Sequence, residues 1–308
     1  MTRPLAQPIA RIPAPGLPRS GPGFPQVRTP KDSHPARPSR VSAAHLERLA
    51  ADLSDLDANV LSFVAAARLA TGTQLVRRFW LKDGGNPDRQ ARNGRRALKR
   101  LSDWRVLDTL PGRARGGTRG GSDTLIYSVG VAGVRLLAQR AFSQRRLGAP
   151  GDRHISHTLT ITELLVRLHE ATCAGDLELI ETPQTEPGCW RSFLGAIGAR
   201  LTLKPDMLIR VAAPGSAYET RLAVEIDMAT ESPSTIRAKS LRYLEHYRSG
   251  HEQQEHGVYP KVLWVVPDGR RAEQITNVLG RLPAPAERLF TVCQFQDTIT
   301  LLITEARS

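Results

Sequence analysis

The chain of 308 residues carries 43 Lys and Arg against 30 Asp and Glu, a formal charge of +13, and three cysteines. The excess is lopsided: residues 1–150 hold 26 cations and 10 acids, residues 151–308 hold 17 and 20, which directs the first half towards nucleic acid or another anionic surface. Cys173, Cys189 and Cys293 lack C-x-x-C spacing, excluding a disulfide framework or a zinc knuckle, and no apolar run reaches the ~20 residues of a membrane span or forms a signal-peptide core. The cytoplasm is the expected compartment, and a length prior of roughly 150 residues per domain predicts two domains.

Residues 1–40 hold ten prolines and seven basic residues with one acid, Asp32. Too few apolar side chains are present to offset the ordering entropy, so a disordered tail is predicted. Residues 41–150 follow as a winged helix-turn-helix. Leu56, Val60, Leu61 and Val64 make one apolar stripe and Leu69, Leu75, Val76, Phe79 and Trp80 a second, with Thr73 placed to cap. The third helix, Asp88 to Ser102, buries Ala91, Ala97, Leu98 and Leu101 and displays Arg89, Arg92, Arg95, Arg96, Lys99 and Arg100. Trp104 to Leu110 and Thr124 to Val129 read as a hairpin joined by a Gly-rich wing with Arg113, Arg115 and Arg119. A helix fits the major groove and a basic loop follows the neighbouring backbone, so double-stranded DNA is the expected partner; a solvated basic face or a protein-docking module is the alternative.

Residues 151–308 read as an α/β domain with a mixed sheet. Helices are predicted at His157 to Cys173, Ser234 to Arg248 and Arg270 to Arg281, and strands at Leu177 to Glu181, within Leu201 to Met228, and at Lys261 to Val266, Phe290 to Gln294 and Thr298 to Thr304. Asp206 opens one strand; Glu225 and Asp227, two apart on the next, leave the same face of the pleat. Converging carboxylates suit a hard cation such as Mg²⁺, with a nearby ammonium to steady a phosphate. Asp206, Glu225, Asp227 and Lys239 are the candidate catalytic residues, and Asp206, Glu225, Asp227 and Glu163 the candidate ligands. His154 and His157 read as surface or capping residues, Tyr243 and Tyr247 as a packing stripe.

Asp206, Glu225 and a lysine resemble the PD-(D/E)xK nuclease superfamily, and the whole run from about Leu56 to Thr304 resembles the replication-relaxation family of plasmid and mobile-element proteins. The features that carry it are Leu56-Asp57, Thr73-Gln74-Leu75, the Arg/Leu-rich third helix, His157 to Glu163, Pro205-Asp206, Glu225-Ile226-Asp227 with Glu231, and Lys239 followed by Tyr243. The resemblance implies a winged helix before a restriction-endonuclease-like domain, and a role in plasmid replication, relaxation or mobilisation beside a relaxase or replication initiator. One departure matters. The superfamily's usual lysine, two residues after the glutamate, is Asp227 here, which cannot donate to a phosphate. Metal-dependent nicking and a catalytically inactive accessory or transcriptional regulator therefore both stay open.

Overall fold

The computed structural model describes residues 41–110, 125–139, 152–195 and 198–307. The proline-rich arm and the wing arginines Arg113, Arg115 and Arg119 lie outside the described residues.

Local capping sets the first helices. Ser42 caps α1 (Ala43–Asp52), and Ser54 with Asp57 forms a reciprocal capping box on α2 (Asp55–Ala67). A second box, Thr71 with Gln74, opens α3 (Gly72–Phe79) directly after β1 (Ala70–Thr71). Asn86 caps α4 (Pro87–Asp103), with proline at its first position, where a missing N–H removes no helical bond. Strands β2 (Leu107–Thr109) and β3 (Ile126–Val129) join β1 in an antiparallel sheet ordered β1-β3-β2, and α5 (Val131–Gln139) follows. Val60, Leu75, Leu98, Leu101, Leu107 and Tyr127 make one apolar core beneath these elements. α3 and α4 approach closely at Gly94, where an added Cβ would lie 2.9 Å from Val76 Cγ2.

The second half is built on α6 (Asp152–Cys173) and a mixed sheet. β4 (Glu178–Leu179), β5 (Gln184–Thr185), β8 (Met207–Ala212), β9 (Thr220–Ile226), β10 (Lys261–Val266) and β11 (Phe290–Gln294) form it in the order β11-β10-β9-β8-β4, with β5 also on β8. β9, β10 and β11 run parallel, whereas β8 is antiparallel to β9. β6 (Arg191–Leu194) and β7 (Arg200–Leu203) form a separate hairpin. The remaining helices are α7 (Pro233–Ser249), α8 (His251–His256), α9 (Gly269–Leu279), α10 (Ala286–Leu289) and α11 (Thr298–Arg307). One face of the sheet, through Val224, Ile226 and Val265, packs with α6 and α11; the other, through Ala223, Val262 and Trp264, packs with α7 and α9.

The protein is thus mixed α+β with a mixed sheet. One predicted strand is corrected: Thr298–Arg307 is a helix. Its β-branched run suggested a strand, yet Thr298, Leu302 and Ala306 are the buried positions, spaced four apart, so one helical stripe covers the sheet where a strand would bury every second residue.

From Ser39 onward the chain is one compact unit. Phe63 packs against both large cores on either side of the α2–α6 contact, and Leu69 and Ile126 cluster with Ile155 and Leu159. Gln74 donates to the Leu159 carbonyl at 3.0 Å, and Thr162 Oγ1 donates to the Leu69 carbonyl at 2.6 Å.

Candidate functional site

The β8–β9 register assembles the acidic cluster. Met207 pairs with Val224 and the Asp206 N–H donates to the Val224 carbonyl at 3.0 Å, so Asp206 stands beside Glu225 at the mouth of the ladder. Asp206 Oδ2 accepts from the Ile226 N–H at 2.7 Å and lies 3.2 Å from His157 Nε2, which α6 supplies. Glu225, 2 % exposed, accepts from the Tyr243 hydroxyl at 2.6 Å and from Lys239 Nζ at 3.3 Å. Lys239 and Tyr243 are four apart on α7, hence on one helical face, and Lys239 also pairs with Glu231 at 2.7 Å.

Asp227 follows β9, and its N–H extends the ladder to the Val265 carbonyl at 2.9 Å. Its carboxylate is gripped by Arg271 Nε from α9, while Arg271 also donates to the Glu231 carbonyl at 2.7 Å. Glu225 and Asp227 thus both engage the helical layer of α7 and α9, but different cations hold them. Glu163 is held elsewhere: Arg77 meets it at 2.8 Å, Gln74 at 3.1 Å and Arg167 at 3.2 Å. A cavity of about 320 Å³ opens at the carboxyl ends of β9 and β10, lined by Ser156, Thr160, Glu163, Asp227, Met228 and Phe295.

The electrostatics follow from burial. Burial pushes Glu225 up to about 7, and the neighbouring Asp206 charge adds to this; Lys239 and Tyr243 pull the other way without cancelling it. Burial lowers the His157 imidazole, but its hydrogen bond and attraction to Asp206 outweigh burial, so its pKa is raised. Lys239 is likewise pulled down by burial and held above its ordinary value by Glu225 and Glu231. The cluster therefore holds a carboxyl that titrates near neutrality beside an ammonium that stays charged.

Magnesium requires several oxygen atoms with lone pairs directed at one point. Here both Glu225 oxygens, Asp206 Oδ2, Asp227 and Glu163 already accept from protein donors. Among the described residues no group of three or more His, Cys, Asp or Glu is arranged to hold a metal ion. The residues as placed do not make a magnesium cage.

On α4, Arg89, Arg92, Arg96 and Lys99 are exposed and Arg95 is half-buried. Lys99 meets Asp103 one turn on, at 2.7 Å. Arg100 is committed to the fold: it grips both oxygens of buried Asp57 at 2.7 and 2.8 Å and its guanidinium lies 5.1 Å from the Trp104 ring centre.

Arg271 carries no signal in the sequence, where His157 reads as a surface or capping residue and Tyr243 as packing. The four-residue spacing of Lys239 and Tyr243 was a usable signal; His157 and Arg271 meet their acids only through the tertiary fold.

The family model described as replication-relaxation matches residues 61–262, and the chain belongs to that family. Membership suggests a role in plasmid replication or relaxation and implies an interaction with DNA in that setting. No curated protein and no solved structure matches the chain significantly. No helix among the described residues is long and apolar enough to cross a membrane.

Proposed function

We propose that the protein is a duplex-DNA-binding factor of plasmid replication or relaxation, whose α2, α3, α4 and three-stranded sheet act as a winged helix ahead of a nuclease-like domain. The observation that carries this is α4: Arg89, Arg92, Arg96 and Lys99 are exposed on one helix of a three-helix, three-stranded unit. Lys99 is paired with Asp103, but Arg89, Arg92 and Arg96 crowd like charge onto one helix, which a polyanion lying against it would relieve. Arg100 serves α2 instead, through Asp57. Duplex affinity should fall steeply with salt, and the joint Arg92→Ala, Arg96→Ala replacement should weaken binding and flatten the log–log salt slope by about two, near one for each phosphate left unneutralised. An unchanged slope in fluorescence-anisotropy titrations would remove α4 from the interface.

The buried cluster favours an accessory role over hydrolysis, because Lys239 and the Tyr243 hydroxyl already engage both oxygens of Glu225 and Arg271 engages Asp227. A second reading, magnesium-dependent nicking at Asp206 and Glu225, rests on their side-by-side register and on Lys239 at 3.3 Å. Supercoiled plasmid incubated with Mg²⁺ or Mn²⁺ decides between them. On the accessory reading no nicked circles form, and Asp206→Ala with Glu225→Ala leaves DNA binding intact where the fold survives; nicking abolished by that pair would establish the alternative.

A further inference from the structure

We propose that the β6–β7 hairpin, with Trp190 and Lys204 at its base, docks an unpaired strand of DNA, at a site separate from the duplex-binding face of α4. This rests on the reading that DNA is the polyanion, but it uses different residues and can fail independently.

The register Arg191↔Leu203 closes the hairpin, which places Trp190, just before β6, opposite Lys204, just after β7. Lys204 Nζ lies 4.4 Å from the centre of the Trp190 ring. Trp190 remains 36 % exposed, and Lys204 and Arg200 are both exposed. An exposed indole beside an ammonium, with a guanidinium further along the same strand, is a combination that sequence-tolerant strand binders use: any base offers a π-face to the ring, and the cations follow the backbone. A stacked duplex hides those faces, so the indole selects an unpaired base.

The position is fixed. Cys189, fully buried, donates its thiol hydrogen to the Pro205 carbonyl at 2.9 Å, which ties the residue before Trp190 to the residue before Asp206. Phe193 and Leu203 anchor the hairpin in the core shared with α7. A strand stacked on Trp190 and paired with Lys204 would sit two residues along the chain from Asp206. Relaxation or replication of a duplex exposes such a strand.

The test uses the full chain and a fluorescently labelled oligothymidine of about a dozen nucleotides, within the range one strand-binding module covers. Trp190→Ala and Lys204→Ala should each weaken oligonucleotide binding, the former about tenfold or more, while Trp190→Phe keeps most of it because a ring remains. Duplex affinity should not change in these variants. The Arg92→Ala, Arg96→Ala pair should do the reverse, weakening duplex binding and sparing the oligonucleotide. The proposal is overturned if natively folded Trp190→Ala binds the oligonucleotide like the parent, or if Phe loses as much as Ala. It is also overturned if only the α4 pair abolishes strand binding, or if polyglutamate competes as well as the oligonucleotide does.

Discussion

At the residue scale, the buried Asp227–Arg271 pair is the most exacting interaction. Its side chains are 1 % and 9 % exposed, so removing one partner leaves a desolvated charge. Arg271→Ala should cost about 3–5 kcal/mol in urea titrations, more than a surface ion pair such as Lys99–Asp103, expected to cost under about 1 kcal/mol. Tyr243→Phe removes the hydroxyl that donates to Glu225. A loss of about 1–3 kcal/mol is expected, the cost of leaving a buried acceptor oxygen without its donor. His246 sets a pH dependence. Burial, helped by the charges of His251 and Arg191, lowers its imidazole to about 4, while Nδ1 lies 3.0 Å from the Tyr259 hydroxyl and the ring packs at a 54° tilt with its centre 4.7 Å from that of Phe193. The folded state thus resists protonation that the unfolded chain accepts near ~6.5. Its contribution is complete above about pH 6.5 and is lost as pH falls towards about 4. Glu225 and His157, whose pKa values are raised, act in the opposite sense over the same range, so the His246 share is read by difference. Relative to the parent, His246→Gln should retain more of its unfolding free energy as pH falls from about 6.5 towards 4, and an equal pH profile in the variant would assign the effect to other groups.

At the element scale, α4 is oriented by its approach to α3. The 2.9 Å separation between a Cβ at Gly94 and Val76, with Trp80 Cδ2 at 3.0 Å, leaves no room for a methyl group. Gly94→Ala gains helix propensity, up to ~1 kcal/mol, yet should destabilise by about 1–3 kcal/mol because overpacking prevails. A stabilised variant in thermal melts would show that the two helices can part without cost. The third helix was legible in the sequence, its polar and apolar positions separating cleanly at helical spacing. The role of Arg100 was not, since it depends on Asp57, 43 residues away, being buried beneath α4. α11 was misread for the related reason that Thr-Ile-Thr-Leu-Leu-Ile-Thr carries β-branched residues and two periodicities, and only the neighbouring sheet and α6 select the helical stripe.

At the scale of the whole molecule, the basic and acidic halves are joined by more than a linker. Arg77 of α3 bridges Glu163 and Glu170 of α6 at 2.8 and 2.7 Å, beside the Gln74 and Thr162 hydrogen bonds. With apolar residues shared between the cores, the unit from Ser39 onward should unfold in one transition, with near-ultraviolet and far-ultraviolet circular dichroism giving coincident midpoints. Arg77→Ala with Thr162→Val should separate the two curves; coincident curves in that variant would place the coupling in the apolar packing alone.

Composition and period alone determined the basic first half, the exposed cations of α4, the candidate acids and the α+β character, because charge, capping and amphipathic spacing act over a few residues. The pairing of those acids is a different matter. That Asp206 stands beside Glu225, that Arg271 takes Asp227, that His157 reaches Asp206 and that Arg77 takes Glu163 depend on strand register and on which helix covers which face. The last three pairs join residues 44, 49 and 86 positions apart; the packing of the sheet against its two helical layers decides the first two, and the seating of α3 on α6 the third.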